Sequence, residues 1–440
     1  MLIEFSVENF LSFKEMVTLS MEASVDSSLP QNIIDSAQGT DFRLLKSAAL
    51  YGPNASGKSN LIKALYFMRK LVLTSAEKGH KGVQIDVTPF KLDRAWQNKP
   101  SAFEIEFLAE GTRYLYGFSV DKNRVHEEWL YTYPYKRPRL LFERNDDGYK
   151  FGASWKGEAK RLAGLTRDAA LFISVADQFN HAQAGLVVNW FTEKLHGVLP
   201  LPIGESEEFF TIHKIKEEPE AKTKVLNMLK NADLDITGLD VEFRTVEEAI
   251  SKGRFPPEFL ENIPEDMKEE FGKAQIPEVT TQRTGVDENK NKTLVSFEMD
   301  DEESDGTQKY FILAGPLIHV LENGCCLLAD ELDVRLHPLL TRGIVEMFHN
   351  EKNNPKGAQL LFATHDVNLL DQKNLLRRDQ IWFTDKGQNG ATRLYSAWDY
   401  KVRKEESFRK GYLAGRYGAV PFVEELIDTS QDEQSSFSWK

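Results

Sequence analysis

The first 160 residues show two different patterns of hydrophobic and polar positions. A short apolar run at 48–51 precedes a glycine-containing loop, and the stretch from Ser59 to about Leu73 then repeats apolar residues at helical spacing. Apolar and polar residues alternate at 103–107, 114–118 and 125–133, which is typical of strands with one buried face. The pattern therefore predicts a strand, a loop and a helix, followed by an antiparallel β subdomain.

Helical spacing returns in the middle of the chain. Helices are expected at 157–198, at 221–232 and, as a shorter piece, at 255–271. A further helix is expected over 310–321 because its apolar positions recur with the same period. This long stretch of helices is expected to form an insertion in the fold.

Two continuous apolar runs lie in the last third of the chain, at 325–329 and 359–363. Strands that are buried on both faces of a parallel sheet have this composition. Together with the strand at 48–51 and the helices between them, these runs predict an α/β protein with a mainly parallel sheet.

Composition places the chain among globular proteins, with 41% hydrophobic and 11% aromatic residues. No apolar run approaches the ~20 residues of a membrane helix, so no membrane contact is expected. The first ten residues resemble a strand and lack the plan of a signal peptide. We therefore expect a cytoplasmic protein in which Cys325 and Cys326 are reduced, small hydrophobic residues.

The formal net charge of −13 argues against a protein that coats nucleic acid over its whole surface. Two basic clusters, 136–139 and 401–410, leave local contact with DNA open as a hypothesis. Short clusters of this kind are more often solvated faces.

The loop after the first apolar run carries the most informative motif. Gly52, Gly57, Lys58 and Ser59 fit the phosphate-loop pattern G-x-x-x-x-G-K-[ST] between a strand and a helix. Glycines allow backbone N–H groups to point at phosphate oxygens, and the helix N-terminus adds its positive dipole end. We predict ATP and Mg²⁺ as ligands, with Lys58 on the β- and γ-phosphates and Ser59 on the metal. The predicted nucleotide-binding residues are Gly52, Pro53, Asn54, Ala55, Ser56, Gly57, Lys58, Ser59 and Asn60.

Polar residues follow both later apolar runs, where the carboxyl ends of parallel strands meet. Asp330 is predicted to hold Mg²⁺, and Glu331 to polarise the water that attacks the γ-phosphate. His365, after the second run, is predicted to hydrogen bond the γ-phosphate and sense its loss. Glu331, His365 and Lys58 are therefore the candidate catalytic residues.

Ser304 and Gly306 precede the helix expected over 310–321. Ser304 or Asp305 can serve as the N-cap of that helix, and an exposed helix N-terminus is also an anion site. If the phosphate that binds at this helix start belongs to the nucleotide of a second subunit, the N-cap is also half of a composite active site. Gln84 is a candidate for the glutamine that senses γ-phosphate, although a surface glutamine before a strand is an equal reading.

These motifs, in this order, resemble those of the ABC-type ATPases, specifically the SMC and RecF side of that class. The opening Phe5-x-x-x-Asn9-Phe10-x-Ser12-Phe13 is similar to their shared start. Residues 331–338 and 409–421 are similar to the Leu-His-Pro run and the C-terminal signature of the standalone OLD-subgroup ATPases of bacterial phage-defence operons. Asp305 stands where that class usually has the first glycine of its signature.

The resemblance implies a P-loop NTPase fold, an ABC-type ATPase head with an antiparallel β subdomain and an inserted helical lobe. The expected segments are an N-terminal part of the core (1–80), the β subdomain (81–155), the helical lobe (156–292), the C-terminal part of the core (293–400) and a tail (401–440).

The resemblance also implies function. We expect a homodimer that closes around two ATP molecules, with Ser304 and Gly306 acting on the nucleotide of the partner, and a separately encoded effector, a nuclease or a toxin, in anti-phage defence. The chain lacks a sustained heptad repeat and is too short after His365 for a nuclease domain of its own. The alternatives are a RecF-like DNA-repair clamp that closes on duplex DNA, and a nucleotide-binding regulatory module without hydrolysis. Spacing indicates no other catalytic arrangement and no metal-ligand cluster.

Overall fold

A computed structural model describes ten ranges of the chain, which carry all the structural statements below. These are residues 1–35, 37–77, 84–134, 137–198, 205–232, 234–252, 256, 272–371, 374–400 and 407–420. The helix expected over 255–271 lies outside the described residues apart from Pro256, as does most of the basic cluster at 401–410.

A six-stranded sheet forms the centre of the fold. In spatial order its strands are β11 (Leu195–Val198), β15 (Cys326–Ala329), β16 (Gln359–Ala363), β5 (Ser47–Tyr51), β17 (Ile381–Lys386) and β18 (Thr392–Ser396). The first five pair in parallel, and β18 is antiparallel to β17. Every residue of β5, β15 and β16 is buried, as expected for strands covered on both faces. The predicted α/β class with a mainly parallel sheet is confirmed.

Alternate residues of β5 belong to two separate cores. Ala48 and Leu50 lie in one hydrophobic cluster, and Ala49 and Tyr51 lie in the other, because successive side chains of a strand point to opposite faces. The first core contains residues of α1 (Lys58–Thr74), α4 (Phe172–Gln178) and α5 (Ala182–Glu193), and the second contains residues of α7 (Pro219–Asn231), α9 (Asp305–Asn323) and α10 (Pro338–His349).

A seven-stranded antiparallel sheet shares the first core. Its order is β10 (Gly148–Phe151), β9 (Arg139–Asn145), β8 (Val125–Tyr133), β7 (Thr112–Val120), β6 (Ser101–Ala109), β1 (Leu2–Glu8) and β2 (Val17–Ser20). The antiparallel subdomain therefore takes its last two strands from the segment 1–80, because Leu2, Phe5 and Val7 are buried in the same core.

The segment 156–292, expected to be helical, is only partly so. It contains α3 (Ala159–Leu165), α6 (Glu205–Glu217) and α8 (Val246–Ser251) in addition to α4, α5 and α7. Its end forms a three-stranded antiparallel sheet with β12 (Gly238–Thr245), β13 (Gln275–Val286) and β14 (Lys292–Glu298). The helix expected over 157–198 also ends before β11. Strands form at these places for two reasons. Leu239 of β12 and Val279 of β13 are buried in the second core, and β11 pairs with β15 and so extends the central sheet.

Short elements complete the description: β3 (Ile33–Ile34) paired with β4 (Leu44–Leu45), the one-turn helix α2 (Arg94–Gln97), and α11 (Phe408–Leu413) near the end of the described chain. Among the described helices, none combines the length and apolar character that a membrane span requires.

Candidate functional site

The loop between β5 and α1 is crowded at both of its motif glycines. A Cβ on Gly52 would lie 2.4 Å from the carbonyl oxygen of Thr384, and one on Gly57 would lie 2.4 Å from Oγ1 of Thr392. Gly57 also has φ of +115° where α1 begins, a backbone conformation that L side chains rarely adopt. The two glycines therefore let the loop pack against β17 and β18 while its N–H groups stay at the helix start.

Lys58 is the first residue of α1, and its side chain curls back over the loop. Its Nζ donates hydrogen bonds of 2.7 Å to the Gly52 carbonyl and 3.2 Å to the Pro53 carbonyl. Burial lowers the pKa of Lys58, and the nearby carboxylates of Asp330 and Glu331 act against that shift. The ammonium is thus held in the loop by neutral acceptors, which phosphate oxygens can replace.

Hydroxyl groups from outside the motif, those of Ser12, Thr384 and Thr392, hydrogen bond to the phosphate loop and to one another. The Ser56 and Thr384 hydroxyls lie 2.6 Å apart, and the Thr392 hydroxyl lies 2.7 Å from the Ser56 carbonyl. Ser12, from the opening motif, accepts a 2.8 Å hydrogen bond from Asn60 and its hydroxyl is 2.7 Å from that of Thr392. The N-terminal motif is therefore physically joined to the phosphate loop.

Asn9 of the same motif anchors the segment that leads into β6. Its amide donates to the carbonyls of Trp96, Lys99 and Pro100 at 3.0, 2.9 and 3.2 Å, and its oxygen accepts from the Phe90 N–H at 3.1 Å. The side chain is fully buried, so each of these bonds satisfies a group that water cannot reach.

Asp330 follows β15 directly and reaches the start of α1. The Ser59 hydroxyl donates a 3.0 Å hydrogen bond to its Oδ1. Its Oδ2 is buried without a hydrogen-bond partner, and burial raises the pKa of this carboxyl. A buried carboxylate oxygen without a partner is costly unless a cation or donor meets it. Ser59 and Asp330 together offer the oxygen ligands that Mg²⁺ prefers, so the residues present fit that ion.

Glu331, Asp333 and His365 surround the same region. Glu331 adopts φ of +51°, which turns the chain sharply after the strand. The backbone N–H of His365 donates to both carboxylate oxygens of Asp333, at 3.3 and 3.2 Å. Desolvation and then the positive charge of Lys58 lower the pKa of His365, so the imidazole is neutral at neutral pH. The structure therefore brings Lys58, Asp330, Glu331 and His365 within electrostatic range of one another.

Ser304 and Gly306 lie at the start of α9. The Ser304 side chain is the N-cap and accepts from the Thr307 N–H at 3.2 Å. A Cβ on Gly306 would lie 3.0 Å from the carbonyl oxygen of Arg335, and the Arg335 guanidinium is 3.4 Å from the Asp305 carboxylate. The start of α9 is therefore in contact with the segment after β15 through Arg335.

The C-terminal segment packs beside the phosphate loop through Tyr412. The Tyr412 ring packs edge-on to Tyr51 at 5.9 Å and stacks on Phe383 at 5.7 Å. Burial raises the pKa of its hydroxyl to about 12, and the nearby backbone of Gly52 acts in the opposite direction. Sequence reasoning placed no role on Tyr412, Thr384 or Thr392, since single residues far along the chain carry no spacing signal.

Two other candidates lie away from this cluster. Gln84 is exposed, and the following residue, Ile85, hydrogen bonds through its N–H to the Lys122 carbonyl at the turn between β7 and β8. Arg137 is exposed before β9, and Arg139, also exposed, is the first residue of that strand.

The chain is similar at low identity to two solved structures, among others. The first is the SMC head bound to the C-winged helix domain of ScpA, with 12% identity, 94% of this chain and 99% of that chain covered, and a TM-score of 0.39. The second is cbiO1 of Clostridium perfringens, part of the ABC transporter complex cbiONQ, with 11% identity, 94% and 96% coverage, and a TM-score of 0.27. Scores this low support no conclusion about the function of this chain. No curated protein sequence matches it significantly.

A family model matches residues 47–371, which is well over half of the chain and runs from β5 beyond β16. The match covers the phosphate loop, the acidic strand end and the histidine that follows β16. The fold agrees with that of a P-loop NTPase, with the phosphate loop between β5 and α1 of a mainly parallel sheet that lies beside an antiparallel sheet. The chain belongs to the family described as "AAA domain, putative AbiEii toxin, Type IV TA system".

Proposed function

We propose that this protein binds ATP with Mg²⁺ and hydrolyses it to ADP and phosphate. The observation that carries the proposal is the buried, unpartnered Oδ2 of Asp330 beside the Ser59 hydroxyl and the Lys58 ammonium. Ser59 and Asp330 would hold Mg²⁺, which supplies positive charge to the β- and γ-phosphates when bound. Loop N–H groups and Lys58 would bind the same phosphates from the other side.

Glu331 and His365 complete the proposed chemistry. Glu331 would accept a proton from the attacking water, and its position next to Asp330 puts it beside the γ-phosphate. The neutral His365 would donate one ring N–H to a γ-phosphate oxygen and lose that partner after hydrolysis. Asp333 positions the His365 backbone through its two hydrogen bonds.

The proposed active unit is a homodimer with two composite ATP sites. Ser304 and Gly306 are displayed at the N-terminus of the 19-residue helix α9, where anions bind favourably. Asp305 would repel a phosphate, but Arg335 lies 3.4 Å from its carboxylate and offsets that charge. A second copy would supply the nucleotide that Ser304 and Gly306 meet, as the resemblance to the ABC-type ATPases implies.

The proposed role is control of a separately encoded effector, a nuclease or a toxin, in cytoplasmic anti-phage defence. Support comes from the motif resemblance at 331–338 and 409–421 to OLD-subgroup ATPases, and from the family description, which names a toxin and a toxin–antitoxin system. ATP binding would close the dimer and hydrolysis would part it, which makes a two-state switch for such a partner.

Native mass spectrometry of Glu331→Gln, purified from cells that express its neighbouring genes, tests the proposal. With Mg·ATP we expect a dimer with two nucleotides and an attached second protein, and without ATP a monomer. Glu110→Gln, at an exposed turn, is the matched control and should hydrolyse ATP and not accumulate the dimer. A native mass that is the same with and without ATP would contradict the composite site. Salt-sensitive, ATP-dependent DNA binding without any partner protein would favour the RecF-like clamp instead.

A further inference from the structure

Three side chains with metal-binding donor atoms meet at the far end of helix α9. His196 is in β11, His319 is in the last turns of α9, and Cys325 directly precedes β15. Their donor atoms all lie within 4.8 Å of one another. Sequence spacing gave no sign of this cluster, because the fold alone brings the edge strand next to the segment 319–325.

Glu193 lies next to this cluster of three donor atoms. Its carbonyl oxygen accepts a 3.0 Å hydrogen bond from Nε2 of His196 and a 3.1 Å contact from the Cys325 thiol. Its exposed side chain also acts electrostatically on all three donors. The carboxylate can therefore supply a fourth ligand from the solvent side.

We propose that His196, His319 and Cys325 bind a zinc-class transition-metal ion, with Glu193 as the fourth ligand. Two imidazoles, one thiolate and a carboxylate are the donors that Zn²⁺ takes in tetrahedral sites. In such a site neighbouring ligand atoms are separated by roughly 3 to 4 Å, as follows from metal–ligand lengths of about 2.0 to 2.3 Å. The three side chains need to approach only slightly to reach this geometry.

The surroundings of the cluster favour coordination through neutral imidazoles. Desolvation lowers the pKa values of His196 and His319, so both rings have a free nitrogen lone pair at neutral pH. Coordination releases the Cys325 thiol proton to solvent. The Asn323 amide nitrogen lies 3.3 Å from Nδ1 of His319 and donates a 3.0 Å hydrogen bond to the His319 carbonyl.

Nearby positively charged side chains oppose the binding of a metal ion at this cluster and so lower its affinity. Lys194 acts on His196 and Cys325, Arg69 acts on His196, and Lys214 acts on His319. Lys214 is itself paired with Glu218 at 2.8 Å and Glu322 at 3.3 Å, which reduces its effect.

The ion would join three parts of the ATPase head. It would tie the C-terminal end of the helix that begins with Ser304 to the edge strand β11 and to the start of β15, whose other end carries Asp330. The site is therefore a structural brace between the helical lobe and the core, and its loading does not depend on ATP.

Cobalt substitution of the purified protein tests this site directly. Co²⁺ bound to a thiolate gives a sulfur-to-metal charge-transfer band and strong visible bands for tetrahedral coordination, which an oxygen-ligated ion at Ser59 and Asp330 cannot give. We expect one equivalent of thiolate-bound Co²⁺ that Zn²⁺ displaces. Cys325→Ser should remove the charge-transfer band, and His196→Asn should weaken binding at least tenfold.

The chain offers two matched controls. Cys326→Ala removes the neighbouring thiol, which points to the opposite face of β15, and His213→Asn removes a histidine of α6 outside the cluster. Both should keep the charge-transfer band. Absence of the band in the folded wild-type protein, or its survival in Cys325→Ser, would overturn the proposal. Neither outcome bears on ATP binding, which Lys58→Ala tests separately.

Discussion

The Ser59 hydroxyl donates a 3.0 Å hydrogen bond to Oδ1 of Asp330 and so joins the first turn of α1 to the end of β15. The two residues are 271 positions apart in the chain. Their contact depends on β5 and β15 lying in one parallel sheet with β16 between them. Because Oδ2 of the same carboxylate is buried without a partner, this contact forms half of the Mg²⁺ site that we propose.

Asp330→Asn should separate metal binding from folding. Burial raises the pKa of Asp330 in the folded protein, so stability falls as the pH rises from the ordinary carboxyl pKa of 3.8 to the folded-state pKa, and above that pH the cost of the ionised form stays constant. Without Mg²⁺ the neutral variant should therefore melt at the same temperature as the wild type or higher. With Mg·ATP it should lose the ligand-induced rise in melting temperature and at least about 100-fold in turnover.

Differential scanning fluorimetry with and without Mg·ATP, together with phosphate release, measures both effects. Asp301→Asn, at an exposed position, is the control and should behave as the wild type. A variant that melts well below the wild type without Mg²⁺ would show that Asp330 has a structural partner that the geometry does not reveal.

Asp305 and Arg335 should be coupled in ATP-driven dimerisation. Arg335→Ala leaves the Asp305 carboxylate unpaired at the start of α9, where it repels the γ-phosphate of the partner's nucleotide. We expect dimer affinity in Mg·ATP to fall roughly fivefold, the effect of an exposed pair worth about 1 kcal/mol. Asp305→Gly should raise that affinity, and the double variant should match Asp305→Gly alone.

Analytical ultracentrifugation of the four proteins, each with Glu331→Gln to prevent turnover, completes this double-mutant cycle. Additive effects of the two substitutions would show that Arg335 does not act through Asp305. Equal dimerisation of all four would remove the start of α9 from the interface.

Sequence alone predicted the central strands β5, β15 and β16 and the polar residues that follow them, because these features are local patterns. Apolar runs define β5, β15 and β16, and the polar residues that follow them meet at one edge of the sheet by the geometry of parallel strands. The phosphate loop is equally local, since its glycines and Lys58 are contiguous. The roles of these residues in ATP binding stay predictions.

Contacts that depend on tertiary packing could not be predicted in this way. Thr384 and Thr392 support the phosphate loop from strands more than 300 residues away, without a motif around them. The helical expectation failed at β11, where four residues gain a place in the central sheet that local spacing does not reveal. The same packing creates the cluster at His319, which no spacing rule could indicate.

His349 should make stability depend on pH. Burial lowers its pKa to about 3, while the unfolded chain binds the proton near 6.5. Stability is therefore complete above pH 6.5 and is lost as the pH falls, by about 1.4 kcal/mol per unit until the folded pKa is reached. The neutral ring is held against the Ser47 hydroxyl at 2.8 Å.

Urea unfolding of His349→Gln between pH 6.5 and about 4 tests this, because the variant should lose the part of the pH slope that one proton contributes. His213→Gln, at a half-buried position of α6, is the matched control for the loss of a histidine elsewhere in the chain. An unchanged slope in His349→Gln would show that the imidazole is protonated in the folded protein.

Tyr412 should contribute to nucleotide affinity through the backbone of Gly52. Its ring is only 6% exposed between Tyr51 and Phe383, and burial raises the pKa of its hydroxyl to about 12. Tyr417 stacks on the same Phe383 at 5.3 Å, but its hydroxyl is buried without a hydrogen-bond partner. Removing the hydroxyl oxygen of each tyrosine in turn therefore tests whether the Tyr412 hydroxyl contributes to nucleotide affinity.

Tyr412→Phe keeps the packing and removes the hydroxyl group that interacts with the Gly52 backbone. With a net value of about 1 kcal/mol for a polar interaction of this kind, the phosphate loop loses part of its preorganisation, and ATP should bind roughly fivefold more weakly with little change in melting temperature. Tyr417→Phe removes an unpaired buried hydroxyl, so ATP affinity should be unchanged and stability equal or higher. Isothermal titration of both variants with Mg·ATP gives the comparison. Equal affinities would show that the C-terminal segment supports the loop only through its rings.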